Sequence, residues 1–255
     1  MPLTAAKPAP GYGALLLRGL LAGLVAGLLA GCFAYAVGEP KVDAAIAIEE
    51  ANAHATPGSD HHDEELVSRD GQKGGLFLAT GLYGAAMGGL LATAYTLLRR
   101  RLRTPSDTRA ALSLAGAALL GIVLIPYVKY PPNPPAVGNP ATIDQRTISY
   151  LAILVLGLVA VWASVVAART QRAEWRQALA AATAFLIVVT VGYTLLPTVD
   201  EVPDTFPADL LWDFRLASLG TQVLLWTALG LAFAALLNAR RTPATQPDHE
   251  KVTSG

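Results

Sequence analysis

The order of apolar and polar positions divides the chain into six long hydrophobic runs separated by shorter polar segments. A helix that crosses the hydrocarbon core of a bilayer needs about 20 predominantly apolar residues, and each run is close to that length. The six predicted spanning helices are Ala14–Val37, Gly75–Leu98, Ala110–Val128, Ser149–Ala168, Ala178–Leu196 and Leu216–Leu237. The pattern therefore predicts an all-α integral membrane protein, a bundle of six transmembrane helices.

The polar segments define the rest of the organisation. Residues 14–237 form the predicted transmembrane domain, and residues 1–13 and 238–255 are short tails, of which the second is expected to be disordered. Three connections, 38–74, 129–148 and 197–215, are predicted to lie together at one end of the bundle. We therefore expect three hairpins that point toward that end.

Composition supports a membrane protein and excludes several classes of function. The chain is 53% hydrophobic and only 15% charged, whereas soluble domains are about 25% charged. A net charge of zero gives no reason to expect a nucleic-acid partner, and one cysteine excludes a disulfide framework and a thiolate metal cluster. The phosphate-binding loop and the common hydrolase motifs are missing from the sequence, so we do not expect an enzyme.

The distribution of charge predicts the orientation in the membrane. With both termini placed in the cytoplasm, the inner segments hold 13 cations and 4 acids, and the outer connections hold 6 cations and 15 acids. Positive residues favour the cytoplasmic side. We therefore predict a multi-pass protein of a prokaryotic inner membrane, with the lipid bilayer as its main partner and both termini cytoplasmic.

The stretch "LLAGC" at Leu28–Cys32 leaves one alternative open at the N-terminus. It fits the cleavage box of a bacterial lipoprotein, in which Cys32 would become an acylated N-terminus on the outer face. The apolar run continues beyond it to Val37, however, so a full spanning helix is also available.

Glycines at a spacing of four mark one face of the first helix, and the second helix has a similar group. Small residues at this spacing let two helix backbones approach closely in lipid. The first group is Gly19, Gly23, Gly27 and Gly31, and the second is Gly81, Gly84, Gly88 and Gly89. The two helices are expected to pack within one chain; the alternative is an interface with a second copy or a partner subunit.

The outer connections carry a recurring pattern of prolines and charges. The outgoing helices of the second and third hairpins are predicted to end at Pro126 and Pro197, and each returning helix to begin just after an Asp-x-Arg motif. The first hairpin is a looser version, with Pro40 after its first helix and Arg69 before its second. This pattern predicts ion pairs or ligand contacts at the outer face by Asp43, Asp144, Arg69, Arg146, Asp213 and Arg215.

Lys129–Pro140 contains five prolines in twelve residues. Consecutive prolines hold an extended geometry at little entropic cost, and irregular backbone at membrane depth is tolerated where it lines a wet cavity. We therefore predict that this segment is a rigid wall over the outer mouth of the bundle.

Two acidic groups in the outer connections are candidate metal sites. Imidazole suits late first-row divalent ions, and carboxylates add oxygen donors. The candidate ligands are Asp200, Glu201, Asp204, Glu49, Glu50, His54, His61 and His62. The alternative is that these acids are only solvated. No Asp, Glu, Lys or His lies at the centre of a predicted span, although Gln222 and Tyr83 are polar there, which argues against a proton relay in the membrane.

Four stretches resemble the CbtA family of predicted cobalt transporter subunits. They are "GEPKVDAAIAIEE" (Gly38–Glu50), "VSRDGQKG" (Val67–Gly74), "PYVKYPPNPPAVGNPATIDQRT" (Pro126–Thr147) and "LLPTVDEVPDTFPADLLWDFRLASLGTQ" (Leu195–Gln222). The resemblance covers most of the chain from Arg18 to Leu237. It implies a multi-pass prokaryotic protein that is associated with cobalamin biosynthesis and with a small histidine-containing membrane subunit, CbtB. No defined ligand set comes with it.

Together these observations predict a membrane subunit of a divalent metal uptake system for cobalt, in which the acidic and proline-rich outer connections form the ion's way in. No bound cofactor is expected; cobalt or another divalent transition metal would be the substrate. Two alternatives stay open. One is a non-transporting assembly or sensor component, and the other is a permease for an anionic or chelated ligand bound by Arg69, Arg146 and Arg215.

Overall fold

The computed structural model describes residues 11–55, 68–135, 137–138 and 140–239. Within these ranges most of the chain is helical, and there is no strand. The helices are α1 (Tyr12–Phe33), α2 (Glu39–Ala55), α3 (Arg69–Leu98), α4 (Asp107–Ala118), α5 (Ile125–Lys129), α6 (Ile143–Arg169), α7 (Glu174–Leu195) and α8 (Ala208–Asn238). Six helical runs in the described residues are long and apolar enough to cross a membrane, which confirms the six predicted spans.

Two π-helical turns continue helices past the points where the sequence pattern predicts that they end. Ala34–Gly38 links α1 to α2, and Leu119–Leu124 links α4 to α5. Each π turn ends directly before a helix whose second residue is a proline, Pro40 or Pro126. Proline lacks an N–H and clashes with the carbonyl four residues earlier. In a π turn the backbone hydrogen bonds join residues five apart. The proline lies where this spacing changes back to the four-residue spacing of the α-helix, so its missing N–H does not stop the helix.

Several predicted boundaries therefore need correction. The helix does not end at Pro126 but runs to Lys129, and the segment predicted as the first outer connection is helical over Glu39–Ala55. The two Asp-x-Arg motifs lie inside the returning helices, since α6 begins at Ile143 and α8 at Ala208. α3 begins at Arg69, where the Ser68 side chain accepts a hydrogen bond from Gly71 N–H. The predicted end before Pro197 is confirmed, because α7 ends at Leu195.

The glycine faces of α1 and α3 pack against each other within one chain. A Cβ atom added at Gly84 would lie 2.6 Å from Gly27 Cα, and one added at Gly23 would lie 3.0 Å from Gly88 Cα. No larger side chain fits at this backbone-to-backbone distance without a shift of one helix. The expected packing within one chain is thereby confirmed.

The main core joins α1, α3, α4 and α8. Phe233 and Leu229 of α8 are fully buried in it, and Tyr95 of α3 meets Phe233 edge to face with ring centroids 5.5 Å apart. α8 packs on α1 and α4, while α7 packs on α6. The packing thus does not follow the order of the three predicted hairpins, whose arrangement stays a prediction.

The pair formed by α6 and α7 docks on the third span. A Cβ at Gly121 would lie 3.1 Å from the carbonyl oxygen of Gly157, so the π turn and α6 touch through their backbones. At the end of α7, the Tyr193 hydroxyl donates to Ile125 O at 2.5 Å, and Lys129 Nζ donates to Tyr193 O at 3.0 Å.

The two ends of the bundle differ in chemistry. We call the end with connections 130–142 and 196–207 the proline end, and the end with connections 99–106 and 170–173 the arginine end. At the proline end, Ala45 of α2 packs with Val137, Phe206 and Leu211 in a separate buried cluster. At the arginine end, the guanidinium of Arg99 donates to Asp107 Oδ1 at 2.7 Å. This hydrogen bond raises the pKa of Arg99 above its ordinary value.

Candidate functional site

A cavity of about 730 Å³ opens at the proline end, between α8, α6 and the third span. Helix α3 contributes Tyr83 to its lining, and both proline-end connections contribute residues as well. The cavity thus lies where the α6–α7 pair meets the four-helix core.

The proline-rich segment is a wall of this cavity. Pro131, Pro132 and Asn133 line it. The Tyr130 hydroxyl ties the segment to the neighbouring connection by donating to Pro197 O at 2.6 Å. From α8, Arg215 Nη2 donates to Asn133 Oδ1 at 2.9 Å, and its Nε donates to Pro132 O at 3.4 Å. The segment therefore lines the cavity and is bonded to Arg215; its rigidity and its place at the outer face stay predictions.

Of the residues that the structure describes, four with charged side chains line the cavity, and two of them form a pair. Arg146 Nη1 lies 3.1 Å from Glu201 Oε2, and Glu201 also accepts a hydrogen bond from the Thr142 hydroxyl. Among the described residues, Asp200 Oδ1 accepts only a long hydrogen bond of 3.5 Å, from Val202 N–H. Arg215 has no carboxylate within 4 Å among the residues that the structure describes.

Gly138 allows the Arg146–Glu201 pair to form under the proline-rich segment. Its φ of +142° is a conformation that residues with a side chain rarely adopt. A Cβ atom there would lie 2.8 Å from Arg146 Nη1. The backbone conformation therefore favours glycine at this position, and an added side chain would also have to displace the Arg146 guanidinium.

Three other predicted outer-face residues, Asp43, Arg69 and Asp213, form ion pairs outside the cavity. Arg69 pairs with Glu39 at 2.6 Å and with Asp43 at 2.8 Å. Asp43 also pairs with Lys73 at 3.0 Å, and Lys41 pairs with Asp213 at 2.5 Å. These contacts fasten α2 to α3 and α8. Asp144 is exposed in the first turn of α6 and does not line the cavity.

The structure brings together only part of the predicted metal-ligand set. Asp200 and Glu201 line the cavity, whereas Asp204 is exposed outside it. Glu49 and Glu50 are exposed on α2, and the His54 backbone lies in the same helix. His61, His62 and residues 240–255 lie outside the described residues.

In the described part of the chain, no three His, Cys, Asp or Glu side chains come close enough to hold a metal. A metal site at these positions therefore stays a prediction.

Sequence reasoning missed the aromatic part of the site. Tyr127 and Tyr150 line the cavity together with Tyr83 and Gln222. The Tyr127 hydroxyl and Gln222 Oε1 are buried without a hydrogen-bond partner among the described residues. The sequence marks Gln222 and Tyr83 as polar residues in apolar helices, but nothing in it indicates that they converge.

Comparison with known proteins identifies the family. The family model described as "Probable cobalt transporter subunit (CbtA)" matches residues 12–238, most of the chain. No match was found among curated proteins or among solved structures. The family consists of transporter subunits and not enzymes, in agreement with the motifs. The six apolar helical runs likewise agree with a multi-pass membrane protein. The chain belongs to the CbtA family of probable cobalt transporter subunits.

Proposed function

We propose that this protein is the membrane subunit of a cobalt uptake system of a prokaryotic inner membrane, and that the metal enters at the proline-end cavity. The observation that supports this is the position of Asp200 on the cavity lining without a cationic partner among the described residues. Glu201 is compensated by Arg146. Asp200 is therefore the carboxylate with the most negative charge to offer a cation.

The charge distribution favours capture from the outer side. The proline end carries the excess of acids, and with both termini cytoplasmic this end faces outward. A cleft lined by one sign of charge raises the local concentration of its counter-ion. The ion pairs that fasten α2 to α3 and α8 keep this face in place while the cavity fills.

A partner subunit would complete the ligand set. A late first-row divalent ion prefers imidazole together with oxygen donors, and Asp200 supplies oxygen only. A small histidine-containing membrane subunit of the CbtB type, associated with cobalamin synthesis, would supply that nitrogen. We propose this arrangement in preference to a homo-oligomer, since the glycine faces are occupied within one chain.

The test is accumulation of radioactive cobalt in cells that lack their own cobalt importers. The chain is expressed alone and with the small subunit, and nickel or magnesium in excess serves as competitor. We expect saturable cobalt uptake that falls by about tenfold in Asp200→Asn, because a charge-assisted contact is worth about 1.5–3 kcal/mol. Asp209→Asn is the matched control, since Asp209 is exposed on α8 and does not line the cavity.

Two results would count against the proposal. The first is uptake no higher than in cells with the empty vector although the protein is present in the membrane. It would exclude cobalt uptake both by the chain alone and by the chain with the small subunit. Uptake that needs the chain but is unchanged in Asp200→Asn would favour the non-transporting assembly or sensor component.

A further inference from the structure

We infer that the cavity binds cobalt as a complex with a small hydroxylated carboxylate, and not as a bare hydrated ion. Arg215 binds a carboxylate of the chelator, and Asp200 faces the metal. This inference rests on the proposed function, because it names the chemical form in which the metal enters the same cavity.

The size of the cavity fits an organic ligand better than a hydrated ion. Six water molecules around an ion occupy about 180 Å³, at roughly 30 Å³ for each water in the liquid. The cavity has about 730 Å³. Sites for small organic molecules range over about 300–1,000 Å³, so the space fits an organic ligand and exceeds what a hydrated ion needs.

The cations on the cavity lining favour a ligand that carries a carboxylate. Arg146 is paired with Glu201, but the guanidinium of Arg215 meets only the neutral oxygens of Pro132 and Asn133 among the described residues. A bare divalent cation would be repelled by this charge. A guanidinium has five N–H donors in a fork that matches a carboxylate, and two of these N–H groups are used by the wall.

The remaining polar and aromatic groups of the lining favour a ligand with hydroxyl groups and a carbon skeleton. The Tyr127 hydroxyl and Gln222 Oε1 belong to residues of the cavity lining, and both atoms are buried without a hydrogen-bond partner in the part of the chain that the structure describes. Buried polar groups nearly always have a partner, and the hydroxyl groups of a ligand would supply one here. Pro131 and Tyr150 offer flat apolar surface to the carbon skeleton of such a ligand.

The experiment compares two forms of the metal, with citrate as the chelator. Radioactive cobalt is offered to the importer-deficient cells either as the free ion or with enough citrate to complex it, and radioactive citrate reports on co-transport. The purified full-length protein is titrated by calorimetry with cobalt citrate, with free cobalt and with citrate alone. The variants are Arg215→Gln, Arg215→Lys and, as control, Arg103→Gln, because Arg103 is exposed at the arginine end.

We expect the complex to be taken up and bound at lower concentration than the free ion. Arg215→Gln should raise the concentration of complex for half-maximal uptake about tenfold or more, since it removes a charge-assisted pair. Arg215→Lys should be intermediate, because it keeps the charge and loses the fork. Arg103→Gln should match the original protein. Size-exclusion profiles of the purified variants show that each is folded.

Three results would overturn the inference. One is saturable uptake of free cobalt that citrate suppresses in proportion to the loss of free ion, and that result would leave the proposed function standing. The second is citrate binding that is equally strong without metal. The third is a lack of cobalt-citrate binding to the purified protein. Because this measurement does not depend on uptake, it tests the inference even if no cobalt uptake is seen and the proposed function fails.

Discussion

At the residue scale, the three arginines near the proline end have three different sets of partners. Arg69 lies between two carboxylates, Arg146 meets one, and Arg215 meets only neutral oxygens of the described chain. A cation near the membrane edge is costly unless it is paired. The difference in partners therefore separates arginines that hold helices together from the one available to a ligand.

The pair between Arg146 and Glu201 predicts a measurable contribution to stability. Only 10% of the Glu201 side chain is exposed, so Glu201→Gln should lower the free energy of unfolding by about 1.5–3 kcal/mol. The reversed pair Arg146→Glu with Glu201→Arg should recover part of the loss. The unfolding midpoint in detergent measures both, and Asp204→Asn, which is exposed outside the cavity, is the control. Equal midpoints for all variants would contradict a stabilising pair.

At the element scale, prolines have different effects according to the turn that precedes them. Before Pro40 and Pro126 a π turn lets the helix continue, whereas α7 ends two residues before Pro197. The continuation through Pro40 brings Ala45 into the buried cluster with Val137 and Phe206. The helix extension α2 thereby supports the connections that form the cavity rim.

The packing of α1 on α3 predicts a strong effect of one added methyl group. A Cβ at Gly23 would be 2.8 Å from the carbonyl carbon of Gly84, so Gly23→Ala should destabilise the protein by about 1–3 kcal/mol through overpacking. Gly116→Ala is a matched control in α4, because a Cβ there meets nothing within 4 Å. Thermal unfolding in detergent measures the difference. A midpoint of Gly23→Ala equal to that of Gly116→Ala would show that the helices separate easily.

At the scale of the whole molecule, the cavity lies at the junction of two packed units. α1, α3, α4 and α8 share the main core, and α6 with α7 docks on the third span through Gly121 and Gly157. Ligand sites commonly lie between packed helices. This junction is open at the proline end, so the direction of transport depends on which end faces outward.

The predicted orientation can be tested by labelling cysteines in intact cells. In a Cys32→Ser background, Asp204→Cys places a thiol at the proline end and Arg103→Cys places one at the arginine end; both positions are exposed. We expect a membrane-impermeant thiol reagent to label the first in intact cells and the second only after lysis, because positive residues favour the cytoplasm. The opposite pattern would invert the topology.

The sequence was sufficient for the number of spans and less so for their ends. Hydrophobicity over about 20 residues is a property of each segment by itself, and it predicted all six runs. The helix through Pro40 and Pro126 was missed because a π turn has no clear local signal. Of the predicted metal ligands, Asp200 and Glu201 reach the cavity, while the tyrosines beside them resembled ordinary residues of apolar helices.

The sequence by itself determined the membrane class, the six spans and the family, because these depend on local composition and on contiguous motifs. Only the tertiary structure decided which helices pack and which charges meet. Arg215 and Asn133, for example, are 82 residues apart in the chain. Such contacts arise from the close approach of glycine-lined helices and from pairing at the membrane edge, and these forces act between segments that no single stretch of sequence contains.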